Sequence, residues 1–203
     1  MPKVKICGIT DPDDALHAAD CGADALGFIF WKGSPRYVEP AVAARIVGDL
    51  PPFVTTVGVF VNEAPGEIRR VRGEVGLDVV QLHGEETPEL CGSLGGRVIK
   101  AFRIKEGKDV EAAKAYRASA YLLDTFKDGV QGGTGETFDW DAAVEAKKFG
   151  RVILSGGLTP DNVADAIRHV RPYAVDVGSG VEKGPGRKDR DKVSKFIEEV
   201  KKA

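Results

Sequence analysis

Apolar residues in this chain form short runs that alternate with segments of helical spacing. The runs are rich in Val, Ile, Leu and Phe, and they predict β-strands at residues 4–7, 25–30, 53–61, 77–82, 98–102, 120–124, 151–155 and 173–178. The segments between them, such as DPDDALHAADCGA and EPAVAARIVGDL, have the spacing of amphipathic helices. Strand starts recur about every 20 to 30 residues, the length of one strand plus a crossover helix.

This alternation predicts the fold class. Strands joined by crossover helices pair in parallel and are buried on both faces. Eight such units in 203 residues predict an α/β protein, a single-domain (β/α)8 TIM barrel that spans residues 1–203. The alternative is an open doubly wound sheet. No GxGxxG follows the first strand, and eight units favour closure.

Composition and charge exclude several classes of partner. Hydrophobic residues make up 42% and charged residues 30%, and the net charge of −2 gives no reason to expect a nucleic acid or an anionic membrane. No apolar run reaches the roughly 20 residues that cross a bilayer, and the start MPKVKICGIT has no leader pattern. Cys7, Cys21 and Cys91 form no CxxC pair, so a disulfide framework is not expected. We expect a cytoplasmic protein.

Polar and glycine residues follow the predicted strands. In a parallel barrel the carboxyl ends of the strands carry the chemistry. The residues at these ends are Cys7, Arg36, Asn62, His83, Arg103, Asp124, Gly156, Gly157, Gly178, Ser179 and Gly180. We therefore expect them around one barrel mouth.

Two glycine turns predict a phosphate site. LSGGLTPDNV contains Gly156 and Gly157, and VDVGSGVEKGPGRKD contains Gly178, Ser179 and Gly180. Glycine lets backbone N–H groups approach an anion, and the loops after strands 7 and 8 are where barrels bind phosphate. Gly133, in GGTGETFDW after strand 6, is expected to close over the same anion. Turn formation alone would also explain glycine in any one of these loops.

Cys7 and Asp124 are candidates for a base and an acid. Strands 1 and 6 lie across the mouth, so these side chains would flank a substrate, an arrangement that suits isomerisation better than hydrolysis. We expect Cys7 at an open mouth, where nearby positive charge lowers the pKa of its thiol. We expect Asp124 to be covered by the GGTGE loop. A small buried side chain and a loop-capping carboxylate are the respective alternatives.

Other polar groups at the mouth are candidate substrate ligands. Arg36 in GSPRYV can bind an anionic group through its planar fork, although a surface arginine is the alternative. Asp176, in the eighth strand, is a further titratable group at this face. His83 is expected either to contact substrate or to be a structural, hydrogen-bonded histidine. No metal site is expected, because the three histidines are scattered without HxH, HxD or HExxH spacing.

The motifs together resemble one family. KICGIT, GFIFWKGSPRYV, VQLHGEE, LLDT, GGTGETFDW, LSGGLTPDNV and VDVGSGVEKGPGRKD occur in the order seen in the phosphoribosylanthranilate isomerase family of tryptophan biosynthesis. The resemblance covers essentially the whole chain. It implies an Amadori rearrangement of a small phosphorylated substrate, N-(5′-phosphoribosyl)anthranilate, without a cofactor. The oligomeric state is expected to be monomer or homodimer.

The resemblance also implies residue roles. Cys7 matches the family's general base and Asp124 its general acid, and Arg36 matches the residue that holds the anthranilate carboxylate. The turns at 156–157 and 178–180 match the phosphate site.

Two rival functions remain open at this point. The histidine-pathway isomerase resembles this family in fold and chemistry, but it places an aspartate where Cys7 stands. A barrel that binds phosphorylated metabolites without catalysis is the second rival, and the presence of both Cys7 and Asp124 argues against it.

Overall fold

Eight parallel strands close into a barrel in chain order. A computed structural model describes residues 1–104, 107–124 and 140–203. The strands are β1 Lys3–Cys7, β2 Ala25–Ile29, β3 Thr55–Phe60, β4 Val79–Leu82, β5 Arg97–Arg103, β6 Ala120–Asp124, β7 Val152–Ser155 and β8 Ala174–Val177. The last strand pairs with the first, with Lys5 opposite Asp176. Closure confirms the predicted (β/α)8 barrel and excludes the open sheet.

The α-helices lie between the strands and after β8. They are α1 Pro12–Cys21, α2 Pro40–Gly48, α3 Pro65–Val75, α4 Pro88–Ser93, α5 Trp140–Ala146, α6 Val163–Val170 and α7 Arg190–Lys202. The first four begin at proline, whose fixed φ suits the first helical turn. Asp11 caps α1 by accepting hydrogen bonds from the backbone N–H groups of Asp13 and Asp14. No helix among the described residues has the length and apolarity needed to cross a membrane.

The structure differs from the predicted elements in two places. The segment after β5 forms a 3-10 helix, Gly107–Ala115, where the sequence predicts an α-helix. Its buried residues, Val110 and Ala113, are three apart, which matches the three-residue turn of a 3-10 helix. A short antiparallel hairpin, β9 Glu182–Gly184 and β10 Arg187–Lys188, follows β8 and was not predicted.

The barrel interior is apolar at its floor and polar at its mouth. The apolar cluster inside the barrel includes Val57, Val79, Ile99, Ala120, Leu122, Ile153 and Ala174, whereas a larger cluster fills the layer between strands and helices. Side chains alternate along a strand, so Asp176 points inward two residues beyond Ala174. The same parity directs Lys5, Cys7, Gln81 and Ser155 into the barrel. The fold therefore places its inward polar groups at the carboxyl ends of the strands.

Candidate active site

Cys7 ends β1, where the chain turns sharply toward α1. Gly8 has a φ of +79°, and the N–H groups of Gly8 and Ile9 both donate to the Gly27 carbonyl at 2.9 Å. A Cβ on Gly8 would lie 2.7 Å from Cδ of Arg36. Glycine is required here for its conformation and for space, and the turn brings Arg36 against the end of β1.

The Cys7 thiol and the Lys5 ammonium meet over Gly27. Gly27 is the register partner of Cys7 on β2. A Cβ on Gly27 would lie 2.8 Å from Sγ of Cys7 and 3.1 Å from Nζ of Lys5. The absence of a side chain at Gly27 thus creates the space that both groups share.

Asp176 is the partner of Lys5 inside the barrel. Lys5 Nζ donates to Oδ1 of Asp176 at 2.6 Å, and Ser155 Oγ donates to Oδ2 at 3.0 Å. Burial acts to lower the pKa of Lys5, but the charge of Asp176 and the Cys7 thiol outweigh it, and the pKa is raised. The carboxylate expected to bind substrate is therefore engaged with Lys5 and Ser155, beside the thiol.

The thiol of Cys7 is not the open, acidified group that the sequence predicted. Only 9% of Cys7 is exposed. Burial is the largest influence and raises the pKa of the thiol, while the charge of Lys5 acts in the opposite direction without overcoming it. Because Asp176 neutralises Lys5, the ammonium cannot stabilise a thiolate fully. The expectation of an accessible thiolate with a lowered pKa is therefore wrong for this structure.

Asp124 ends β6 and is bound to His83. Nε2 of His83 lies 3.2 Å from Oδ2 of Asp124, and Nδ1 lies 3.1 Å from Nε2 of Gln81. The amide of Gln81 donates to Nδ1 in this arrangement, so the neutral imidazole carries its hydrogen on Nε2 and donates it to Asp124. Both partners of the His83–Asp124 contact are partly exposed at the mouth. His83 thus orients Asp124, and its contact with substrate stays a prediction.

Arg36 lies in the loop after β2 and pairs with Glu182 of the hairpin. Its Nε donates to Oε1 and Oε2 of Glu182 at 2.9 and 3.1 Å, and Nη2 donates to Oε2 at 2.7 Å. Burial acts to raise the pKa of Glu182, but hydrogen bonds from Arg36 and the charge of Lys188 outweigh it and lower the pKa. Glu182 is therefore ionised at neutral pH, and Arg36 is held at the mouth rather than free on the surface.

The two glycine turns lie side by side. Gly156 and Gly157 have φ values of +84° and +66°, which favour glycine. A Cβ on Gly180 would overlap the carbonyl oxygen of Leu158, so the loop after β8 packs directly on the loop after β7. Gly178 and Ser179 belong to the same β8 loop, which continues as one 3-10 turn, Ser179–Val181. This proximity is what a shared anion site requires.

A second ion pair supports the mouth near His83. Lys100 Nζ donates to Oε2 of Glu86 at 2.8 Å and to the Gly84 carbonyl at 2.6 Å. Glu86 also accepts the backbone N–H of Asn62 and Gly84, so it fixes the loops after β3 and β4. A cavity of about 490 Å³ opens beside these groups, lined by His83, Gly84, Lys100, Phe102, Arg103 and Tyr116 among others.

Five charged residues of the site, Lys5, Glu86, Lys100, Glu182 and Lys188, were not singled out from the sequence. Lys5 and Lys100 lie within apolar strands that are buried on both faces, and a lysine at such a position indicates a buried partner. Glu182 and Lys188 lie in the unpredicted hairpin, and although both belong to the motif VDVGSGVEKGPGRKD, only its glycine turn was singled out. Gly133 lies outside the described residues. Within the described ranges, no group of three or more His, Cys, Asp or Glu residues is placed to hold a metal ion.

The chain is similar to proteins of known family over its full length. The sequence model described as N-(5′phosphoribosyl)anthranilate (PRA) isomerase matches residues 4–199. The N-(5′-phosphoribosyl)anthranilate isomerase of Geobacter sp. strain M21 is 56% identical over 202 residues, covering 100% of this chain and 99% of the relative. That of Citrifermentans bemidjiense is 57% identical over 202 residues, with 100% and 98% covered.

Solved structures agree with this assignment. The phosphoribosyl anthranilate isomerase of Thermotoga maritima superposes with a TM-score of 0.94 at 49% identity, with 100% of each chain covered. A phosphoribosyl anthranilate isomerase in complex with reduced 1-(o-carboxyphenylamino)-1-deoxyribulose 5-phosphate has a TM-score of 0.91 at 47% identity, again over 100% of each chain. The chain therefore belongs to the N-(5′-phosphoribosyl)anthranilate isomerase family, whose members are isomerases of tryptophan biosynthesis.

Proposed function

We propose that Cys7 and Asp124 are the base and acid with which this isomerase converts N-(5′-phosphoribosyl)anthranilate to 1-(2-carboxyphenylamino)-1-deoxyribulose 5-phosphate. The observation that carries the proposal is their placement at the ends of β1 and β6. These strands are three places apart around the eight-stranded barrel, so the two side chains face a common mouth from separate sides.

Asp124 acts in the first step. Its carboxylic acid gives a proton to the ribose ring oxygen while the bond from C1 to that oxygen breaks. The anilino nitrogen supplies the electron pair, which leaves a protonated Schiff base and an ionised Asp124. The hydrogen bond from His83 stabilises this carboxylate as its charge develops.

Cys7 acts in the second step. As a thiolate, it takes the proton from C2, and the electron pair of that bond forms a C1–C2 double bond while the nitrogen is neutralised. The resulting enolamine tautomerises to the ketose. Burial favours the neutral thiol in the free protein, so Cys7 must first release its proton to solvent, and the positive charge of the Schiff base, together with Lys5, favours the resulting thiolate.

The substrate's two anionic ends select its orientation. We assign the phosphate to the turns at 156–157 and 178–180, where backbone N–H groups and glycine conformations suit an oxyanion. We assign the anthranilate carboxylate to Arg36. We assign Asp176, which accepts a hydrogen bond from Lys5 at the same mouth, to the ribose hydroxyls.

The loss of substrate fluorescence tests the assignment. The purified protein should consume N-(5′-phosphoribosyl)anthranilate, and Cys7→Ser and Asp124→Asn should each reduce kcat by about 10²- to 10⁴-fold. Turnover near the parental rate in either variant would contradict the role of that residue. Circular dichroism of both variants shows whether the fold is retained.

We also propose a homodimer in the cytoplasm. A solved structure that is 46% identical, with a TM-score of 0.90, contains monomers generated from the dimeric phosphoribosylanthranilate isomerase of Thermotoga maritima. Phe53, in the loop before β3, is 96% exposed in the single chain, and a large apolar side chain in that position suits an interface. Light scattering at micromolar concentration should give twice the mass of 21.7 kDa. The monomer mass would contradict the proposal.

A further inference from the structure

The guanidinium of Arg36 has one occupied edge and one free edge. Glu182 engages the edge formed by Nε and Nη2 through three contacts of 2.7 to 3.1 Å. A guanidinium has a second fork at its end, formed by Nη1 and the remaining N–H of Nη2. Within the described residues, no group hydrogen-bonds this end. Arg36 is 24% exposed at its side chain whereas Glu182 is 4% exposed, so the occupied edge is the buried one.

Lys188 holds Glu182 from the other side. Its Nζ, only 1% exposed at the side chain, lies 2.9 Å from Oε1 of Glu182. The two residues face each other across the β9–β10 hairpin. Lys188 Nζ also donates to the carbonyls of Cys7 at 2.6 Å and Gly178 at 3.2 Å. One buried ammonium thus ties Glu182 to the end of β1 and to the start of the β8 loop.

The side chains of Arg36, Glu182 and Lys188 together carry a net positive charge, which can bind one more anion. Lys188 and Arg36 are two cations that share the single carboxylate of Glu182. One positive charge therefore remains, and it faces the mouth at the free fork of Arg36. A planar carboxylate matches that fork in geometry and in charge.

We propose that Glu182 and Lys188 are positioning residues, which hold the occupied edge of Arg36 so that its free fork receives the aromatic carboxylate at a fixed separation from Cys7. This inference rests on the proposed function, because it takes Arg36 as the carboxylate receptor. It adds the residues that orient the receptor and the connection, through Lys188, to the backbone of the base.

A positioning role and a charge-balancing role for Glu182 predict opposite effects of Glu182→Gln on the affinity for an anionic ligand. If Glu182 only offsets positive charge, its removal makes the site more cationic, and an anionic ligand binds more tightly. If Glu182 orients Arg36, the fork loses its fixed direction and a carboxylate binds more weakly. The sign of the change therefore separates the two roles.

The experiment compares two ligands by titration calorimetry. One is reduced 1-(o-carboxyphenylamino)-1-deoxyribulose 5-phosphate, and the other is the same compound without the carboxyl group. Glu182→Gln should weaken the first about tenfold and the second less than about twofold, since charge-assisted hydrogen bonds are of this order. In turnover, KM should rise about tenfold while kcat changes less than about threefold. Tighter or unchanged binding of the carboxylated ligand overturns the inference.

One reference variant, Arg36→Met, separates failure of this inference from failure of the proposed function. Arg36→Met should abolish the preference for the carboxylated ligand. If Arg36→Met keeps that preference, Arg36 is not the receptor and its proposed role fails. If Arg36→Met loses the preference while Glu182→Gln keeps it in full, only the positioning role is overturned.

A second variant, Glu182→Asp, and a control, Asp78→Asn, show whether the change in ligand affinity is independent of an effect on folding. Glu182→Asp retains the charge but shortens the side chain, so it should still weaken the carboxylated ligand selectively, and equal binding to the parent counts against the inference. Asp78→Asn removes a hydrogen-bonded carboxylate at the opposite end of the barrel, where Asp78 accepts from Thr56. This control should change the affinity of neither ligand. Selective weakening by Asp78→Asn would show that the effect is not specific to the Arg36 site.

Discussion

Nζ of Lys5 lies 2.6 Å from Oδ1 of Asp176, and the pair is buried beside the thiol of Cys7. The two residues carry opposite charges and are register partners on the neighbouring strands β1 and β8. Burial raises the pKa of the Cys7 thiol in the free protein, and Lys5, which is already paired with Asp176, does not overcome this effect. The thiol that we propose as the base is therefore protonated in the free protein, and in the proposed mechanism the positive charge that favours its ionisation develops only when the Schiff base forms.

Alkylation by iodoacetamide should report this state of Cys7. A thiol with a raised pKa is mostly protonated at neutral pH, so modification of the free protein should be slow at pH 7. The thiolate fraction grows as the pH rises, and the rate should still be increasing above about pH 9, past the ordinary range of a cysteine. Peptide mapping with mass spectrometry measures the rate at Cys7 alone.

Cys21 provides an internal comparison for that measurement. It is partly exposed on α1, so it should be alkylated faster than Cys7 at pH 7. The reduced product analogue should slow Cys7 further without affecting Cys21. Rapid modification of Cys7 at pH 7 would show instead that the thiol is open and ionised, as the sequence alone suggested.

Removing the imidazole of His83 should slow the proposed proton transfer from Asp124 more than it weakens substrate binding. His83→Ala deletes the hydrogen bond to Asp124 and leaves that carboxylate without its orienting partner. We expect kcat to fall about 10- to 100-fold with a change in KM below about threefold. Steady-state kinetics give both constants. A large rise in KM with kcat intact would instead identify His83 as a substrate ligand.

The sequence contained enough information for the barrel and for the location of its mouth. Strands were visible because runs such as residues 120–123 are rich in apolar side chains, as is typical of strands buried on both faces. Chain order then placed Cys7 and Asp124 at one end, since parallel strands share their carboxyl edge. Family motifs added the roles. These conclusions depend on local patterns and on topology.

The electrostatic state of the site could not be predicted in the same way. The pKa of Cys7 depends on burial and on the pairing of Lys5 with Asp176, which is 171 residues away in the chain. The partner of Arg36 lies in a hairpin with two short, charged strands and no apolar alternation. Such contacts arise from tertiary packing, so no local pattern encodes them.

Removing one partner of the buried pair of Lys100 and Glu86 should destabilise the fold strongly. Their side chains are 2% and 1% exposed. Glu86→Gln leaves the ammonium without its counter-charge and should lower the free energy of unfolding by about 3–5 kcal/mol. The double variant with Lys100→Met should recover part of that loss, because no unpaired charge remains. Urea denaturation measures the free energy of unfolding of the parent, of Glu86→Gln and of the double variant. Glu145→Gln, which breaks the exposed pair of Glu145 with Lys148, is the control.

The acid dependence of stability should also change in Glu86→Gln. Burial acts to raise the pKa of Glu86, but Lys100 and the N–H of Asn62 outweigh it, so the folded-state pKa is lowered. A lowered pKa stabilises the folded protein above the unfolded value of about 4.3, and this contribution is lost as the pH falls through the folded value. The parent should therefore lose stability below about pH 4.3 more steeply than Glu86→Gln. Equal slopes would contradict this role.

Activity should survive removal of divalent metal ions. The proposed steps use only the side chains of Cys7 and Asp124 and the charges around them. Dialysis against excess EDTA should leave kcat within about twofold of the untreated protein. Loss of turnover that is restored by a divalent ion would require a different mechanism.

Gly27→Ala should show whether the position of the Cys7 thiol affects kcat separately from the stability of the barrel. The new Cβ would lie 2.8 Å from Sγ of Cys7 and 3.1 Å from Nζ of Lys5, so both groups must shift. A displacement of the base by a fraction of an ångström to one ångström should reduce kcat by up to about 10²-fold. The added methyl should also destabilise the barrel by about 1–3 kcal/mol.

Gly58→Ala is the matched control on the neighbouring strand β3. There the three atoms nearest the new Cβ belong to the apolar side chains of Leu77, Phe60 and Phe30. The substitution should destabilise the fold to a similar degree and leave kcat within about threefold of the parent, because these side chains belong to the apolar layer between strands and helices, whereas the thiol faces the barrel interior. Kinetics at a temperature well below both transition midpoints compare the two variants. Equal losses of kcat would mean that activity follows stability, and the space over Gly27 would then have no specific role in placing Cys7.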